Sequence, residues 1–242
     1  LDEQCSNYLV DPNSIIENDS ERLVGLENIE KKQELTHDMI KTCQKRMVLA
    51  KLVIDFRQTK IANDVIDYAD QIRLAAQAAQ NSQTMRDMLK EQFHVVLLDE
   101  YQDTSISQKV LLQELFGQGH PVMAVGDPCQ AIYGWRGAEI TNMENFKTDF
   151  ERQVGDSWEP AQIYKLTANR RSGKNILTVA NSLSDSLRAI HPEIVELVPA
   201  DDAKPAGEIH TALLPTFVDE VEWVSDQIAK LKPVKTWNEV AI

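Results

Sequence analysis

No stretch of the 242-residue sequence approaches the ~18 consecutive apolar residues that a membrane-spanning helix needs, which excludes a transmembrane chain. The N-terminus, LDEQCSNYLV, has neither the basic start nor the apolar stretch of a signal peptide. It also has no initiator methionine, and so reads as a chain cut from a longer one. Cysteine is scarce. Cys5, Cys43 and Cys129 are odd in number, widely separated and without a CxxC spacing. That argues against a disulfide scaffold or a zinc site and fits a reducing cytosol. Basic charge is in deficit: the net charge is −13, spread as −4 over residues 1–92, −5 over 93–155 and −4 over 156–242. A protein that held nucleic acid only by neutralising phosphates would be basic, so any such contact must come from a local groove with stacking side chains. Internal repeats and low-complexity tracts are absent as well. What remains is ordinary globular composition, 43% apolar and 26% charged, in 27.4 kDa. That is enough for one large domain or two small ones.

Residues 1–26 mix Asn, Asp, Ser and Pro and read as loop and short turns. From Leu26 to Gln92 the pattern is helical. Met39, Cys43, Met47, Ala50 and Ile54 recur at spacings of three and four, and Val65, Ala69, Ile72, Ala76 and Ala79 repeat the pattern. Asn81-Ser82 breaks the run before a short helix over 84–92. At Phe93 the texture changes. Val95-Val96-Leu97-Leu98 is too short for a helix, SISQKVLLQELF (105–116) is an amphipathic helix capped by Thr104 or Ser105, and Val122–Val125 is a second apolar run. Strand–helix–strand with continuous apolar strands predicts a parallel sheet buried on both faces, with Asp99, Glu100 and the 126–136 loop on its carboxyl edge. Residues 155–160 read as a linker. Beyond them the pattern predicts a strand over 163–166, a helix over 175–187, a strand over 208–214, a helix over 220–231, and a strand that begins at Val240-Ala241-Ile242.

Three segments carry chemistry. Asp99-Glu100-Tyr101-Gln102-Asp103-Thr104 closes the first strand. Its carboxylates either cap the next helix or hold Mg²⁺ and orient a water. Val125–Ala138 (VGDPCQAIYGWRGA) places Gln130, an uncharged donor, before Tyr133, Trp135 and Arg136. These rings are either core aromatics or a platform for unpaired bases. In Leu166–Ser172 (LTANRRS), Arg170 and Arg171 are either a solvated pair or reach a phosphate. The following Gly173-Lys174-Asn175 only imitates the end of a phosphate loop; GxxxxGK[ST] occurs nowhere in the chain.

In this order and spacing the segments resemble motifs II, III and IV of the UvrD/Rep/PcrA group of superfamily 1 DNA helicases. The resemblance runs from Ile66-Asp67-Tyr68 to Val240-Ala241-Ile242. It implies an α/β fold of partial RecA-like parallel-sheet domains with a helical 1B subdomain. Residues 1–92 would be the 1B-like subdomain, 93–155 the back half of domain 1A with motifs II and III, and 156–242 the opening of domain 2A with motif IV. It further implies ATP and Mg²⁺ as cofactors. Asp99 would coordinate the metal, Glu100 would activate water, and Gln130 and Arg171 would contact the γ-phosphate. Arg170, standing where the family more often has Tyr, would stack on the base. Tyr133, Trp135 and Arg136 would line the track for single-stranded DNA. The whole motor is then a cytoplasmic 3′→5′ DNA helicase, acting on single strands and ss/ds DNA junctions with repair or recombination proteins and without a membrane. The 242 residues alone, without a Walker A loop or motifs V and VI, are expected to be inactive. A helicase subunit of a RecB- or AdnAB-like nuclease, or a stand-alone interaction module without ATPase activity, are the alternatives.

Overall fold

The computed structural model describes residues 1–29, 33–191, 193–201 and 204–230. They form two units, residues 1–165 with 187–194, and residues 166–186 with the described residues from 195 on.

In the first unit, helices begin where loop was expected. α1 (Asp2–Asn7) and α2 (Pro12–Glu27) occupy the N-terminal segment. The polar residues there are a helix start signal: the Asp11 side chain accepts from Asn13 N, and Pro12 sits in the first turn, where its missing N–H costs nothing. α2 packs along α3 (Glu34–Ala62), and the fully buried Asp19 of α2 meets Arg46 Nε of α3 at 3.0 Å. α4 (Tyr68–Asn81) starts from a reciprocal Asp67/Asp70 capping box, and Ser82 caps α5 (Gln83–Gln92). Cys43, Ala50, Ala76 and Ala79 are buried as the spacing predicts, whereas Met39 and Val65 are exposed.

An ionic cluster ties α1, α3 and α4 together. Lys60 Nζ lies 2.7 Å from Asp2, 2.9 Å from Asp67 and 2.6 Å from Asp70, while Arg57 and Arg73 hold Asp2 and Asp70 from the flanks at 2.7 and 2.8 Å. Burial pushes the Asp70 carboxyl up, but hydrogen bonds from Arg73 and Lys60 outweigh it and bring it down to about 2. Asp2 is lowered in the same way, its burial outweighed by Lys60 and Arg57. Lys60 moves the other way: burial favours its neutral form, yet the three carboxylates raise it above its ordinary value. The three acids group closely enough to hold a metal ion, but the lysine ammonium already takes that place.

β1 (Val96–Leu98) pairs in parallel with β2 (Val122–Ala124), Leu97 opposite Met123, with α6 (Ile106–Phe116) between them in the chain. Val96 and Val122 pack against Ala79, Leu115 and Phe116, with Met85 and Leu89 beside them. Leu97 and Met123 face the other way and are 71% and 54% exposed. The expectation of a sheet buried on both faces is therefore corrected. Successive residues of a strand point to opposite sides, and α4, α5 and α6 supply the core on one side only. After α7 (Thr141–Asp149), the expected linker is also corrected: it is part of a hairpin of β3 (Arg152–Val154) and β4 (Ser157–Glu159), turned at Gly155 with φ +62°. Trp158 of that hairpin lies over Gly119, where a Cβ would come within 3.2 Å of its ring.

In the second unit, β5 (Ala168–Asn169) pairs in parallel with β6 (Val198–Pro199), and α8 (Lys174–Leu183) follows β5. α9 (Asp185–Ile190) comes next in the chain, so the helix expected over 175–187 is broken at Ser184. The strands expected over 163–166 and 208–214 are not formed. Ile163, Tyr164 and Leu166 are exposed and Leu213 wholly so, and an apolar run without a paired neighbour stays irregular. α10 (Phe217–Lys230) begins earlier than expected, because Thr216 and Asp219 exchange capping hydrogen bonds of 3.1 and 3.2 Å. Leu231 and the strand read at Val240–Ile242 lie outside the described residues. Among the described residues, no helix is long and apolar enough to cross a membrane.

Candidate functional site

The two parallel strands end at one rim. Val125 N donates to Leu98 O at 2.8 Å and Tyr101 N donates back to Val125 O at 3.0 Å, which locks the chain leaving β1 to the chain leaving β2. Between them Glu100 takes a left-handed conformation, φ 50° and ψ 40°, uncommon for a residue with a Cβ and a mark of local strain. Asp99 Oδ1 accepts from Glu100 N at 3.0 Å, and both side chains are exposed at the rim. Ser105, paired with Gln108 in a capping box, caps α6. The Asp99 and Glu100 side chains therefore do not cap the next α-helix, and that alternative falls.

Gln102, 1% exposed, is the hub. Its Nε2 donates to Glu100 Oε2 at 2.8 Å, and its Oε1 accepts from Asp127 N at 3.1 Å. Asp127 continues the chain: Oδ1 accepts from Cys129 N at 2.9 Å and Oδ2 from Gln130 Nε2 at 2.8 Å. Gly126 has no room for a side chain, since a Cβ would stand 2.6 Å from Gln102 Oε1. Behind this line, Tyr101 packs edge-on to Phe146 at 5.2 Å, and its hydroxyl, pushed up by burial with Asp149 adding to the effect, has no hydrogen-bond partner among the described residues. Asn142, fully buried, donates to Thr104 O at 2.8 Å and fixes the end of the turn.

Tyr133, Trp135 and Arg136 lie on the same loop, in a single helical turn over 134–136. Trp135 is 77% exposed, so these rings are not core. The Arg136 guanidinium carbon lies 5.1 Å from the Trp135 ring centre and 5.8 Å from that of Tyr133, and the rings are 6.4 Å apart. An arginine beside two accessible rings offers planar stacking surfaces and one positive charge, which suits unpaired bases. The exposed carboxylates of Asp99 and Glu100 are hard oxygen donors of the kind Mg²⁺ takes, so these two residues fit that ion.

Arg170 and Arg171 lie in the second unit, after β5. Asn169 Oδ1 accepts from Arg171 N at 2.9 Å and Ser172 N at 2.8 Å, and both arginine side chains are exposed. The first unit thus gathers Asp99, Glu100, Gln130 and the aromatic turn, while the arginine pair is built separately. Sequence reasoning gave no role to Gln102, Asp127 or Asn142. Gln102 and Asp127 stand inside quoted motifs, but nothing in a residue's type reveals that a side-chain amide is buried.

A parallel strand pair with carboxylates at its carboxyl edge, a polar network behind them and a stacking turn beside them is the arrangement of an α/β domain that carries its candidate site at the strand ends. More particularly, the chain belongs to the UvrD/REP helicase N-terminal domain family, which matches residues 3–151. It is 36% identical over 122 residues to DNA helicase II of Salmonella typhimurium, an alignment covering 50% of this chain and 16% of that protein. Over 181 residues it is 30% identical to the ATP-dependent DNA helicase PcrA of Staphylococcus epidermidis, covering 74% and 23%. A probable DNA helicase II homolog of Rickettsia conorii is 32% identical over 192 residues, covering 78% and 27%. The chain spans about a sixth to a quarter of the length of these relatives.

Proposed function

We propose that these residues form part of a cytoplasmic, ATP-dependent DNA translocase of 3′→5′ polarity, working on single strands and ss/ds DNA junctions in repair or recombination. The observation that carries the reading is the continuous hydrogen-bonded line Glu100–Gln102–Asp127–Gln130, which joins the carboxylate rim to the loop bearing Trp135. A change at one end of that line has a direct mechanical route to the other. Its architecture is read as the back of a RecA-like domain 1A beside a 1B-like helical subdomain, with residues 156–242 opening domain 2A.

Asp99 would hold the Mg²⁺ of a bound ATP, and the ion would supply neutralisation of phosphate charge. Glu100 accepts the proton of the attacking water on its carboxylate, and Gln102 keeps that carboxylate from swinging. Gln130, its amide steadied by Asp127, faces the γ-phosphate. Arg171 is the phosphate-facing arginine of the second unit, and Arg170 stacks on the base. Tyr133, Trp135 and Arg136 hold unpaired bases. Without a GxxxxGK[ST] loop in the sequence, the 242 residues alone should show no ATP turnover and no unwinding.

The test is Glu100→Gln in the motor that carries this chain. Nucleotide affinity should be kept while DNA-stimulated turnover falls about 10²- to 10⁴-fold, the range for loss of a general base. Turnover at the unaltered rate would remove Glu100 from the chemistry.

A further inference from the structure

We infer that Asn7, on α1, is a positioning residue for the stacking turn, acting through the Arg136 carbonyl. The inference rests on the reading that Tyr133, Trp135 and Arg136 bind unpaired bases. Asn7 Nδ2 donates to Arg136 O at 2.9 Å, a contact between residues 129 apart in sequence. The turn closes at Gly137 with φ +85°, and a Cβ there would stand 2.9 Å from the Asn7 Cβ. Only a glycine in the left-handed region lets the loop come down on α1 in this way.

The other end of α1 is anchored. Asp2 is held by Arg57 and Lys60 at 2.7 Å each, and Arg57 also donates to the buried Ser6 at 3.2 Å. Cys5 is buried too. A short helix with a fixed base therefore presents one amide to the backbone between Trp135 and Gly137. The Trp135 ring itself is mostly exposed. The turn otherwise closes on its own backbone and on Thr104–Ser105 through Glu139 and Ala138. Asn7 is the side chain that reaches the carbonyl of the stacking arginine, so it sets the direction of the Trp135–Arg136 edge.

The experiment uses the 242-residue chain with Asn7→Asp, which keeps the shape but turns an acceptor toward the carbonyl, and Asn7→Ala as a second variant. Amide exchange over 134–138 should rise about five-fold or more, the equivalent of one lost hydrogen bond, with exchange in α6 unchanged. Binding of a fluorescent oligo-dT should weaken by a similar factor. Combined with Trp135→Ala, the Asn7 change should add nothing, because both act through one contact surface.

Unchanged exchange over 134–138 in both variants overturns the positioning role. So does an additive effect in the double variant, the signature of general destabilisation. If Trp135→Ala leaves oligo-dT binding unaltered, or the parent chain binds none, the base-stacking reading fails and the role toward DNA fails with it. If Trp135→Ala weakens binding while both Asn7 variants bind normally, the stacking reading stands and this inference alone is wrong.

Discussion

The carboxylate rim after β1 and the arginine rim after β5 are built on the same plan, a short parallel strand, a turn and a helix, yet they are held very differently. At the first, the turn is fixed from inside: Gln102, Tyr101 and Asn142 are buried, and Gln102 spends both ends of its amide on the two loops. At the second, one side chain, Asn169, organises the backbone, and Lys204 donates to the Arg170 carbonyl at the surface. The proposed roles account for the difference. A carboxylate on a short stem acts only where its backbone puts it, so the backbone must be fixed. An arginine carries a forked head on a long stem and needs little more than a direction.

The strongest way to break the second rim is steric. Gly173 is buried, and a Cβ there would meet Pro205 O at 2.1 Å and Ala206 O at 2.6 Å, both backbone atoms. Its φ of −75° is ordinary, so the whole effect of Gly173→Ala comes from crowding. Expected is a loss of about 3 kcal/mol confined to the second unit, read as a lowered midpoint for α8 in amide exchange. At the first rim the equivalent blow is electrostatic. Gln102→Leu leaves the Asp127 N–H and the Glu100 carboxylate without their partner, and should cost about 2 kcal/mol in denaturant unfolding. In the complete motor the same change should lower turnover about ten- to a hundred-fold through misplacement of Glu100, with nucleotide affinity kept. Full turnover would mean that the buried amide is packing rather than alignment.

Acid sharpens the contrast. The helices behind the carboxylate rim contain buried Asp70, whereas none of the described carboxylates of the second unit is buried. Asp70 sits at about 2 in the folded chain against an ordinary 3.8. Its contribution is therefore fully present above about pH 5 and lost as pH falls through 2, and Asp2 moves in the same direction. Asp70→Asn should thus cost on the order of 2 kcal/mol at pH 6 and almost nothing near pH 2. Parallel stability curves for the two proteins from pH 6 to 2 would show that the Lys60 cluster adds nothing net.

Much of the first rim is legible in sequence because its signals are local. The apolar runs at Val96 and Val122, the Ser105 cap and the glycines of the loop each dictate backbone within a few residues. The N-terminal helices were hidden because Asp11-Pro12 serves a turn or a helix start equally well, and packing on α3 decides between them. The run around Ile163–Leu166 carries the right residue types for a strand, but pairing is a long-range event: β5 begins two residues later, where Val198 N can reach Thr167 O. The candidate residues were legible through their types and order. The atoms that hold them were not, since burial of Gln102 and the contact of Asn7 with Arg136 depend on segments far apart in the chain.

The smallest expected effect asks whether anything besides Gln102 holds the carboxylate rim from behind. Tyr101 is 1% exposed and packs against Phe146, itself stacked on Phe150 at 4.8 Å. Its hydroxyl has no partner among the described residues, and burial, with Asp149 adding to it, keeps the phenol well above its ordinary value. A buried donor without an acceptor loses its hydration and gains nothing in return. Tyr101→Phe keeps the ring and removes that cost, so stability should stay level or rise by less than about 1 kcal/mol, with turnover unchanged. A fall of more than about 1 kcal/mol would mean that the hydroxyl is satisfied by a buried water. The carboxylate rim would then rest on a solvated tyrosine as well as on the Gln102 amide, and its contrast with the arginine rim would be deeper still.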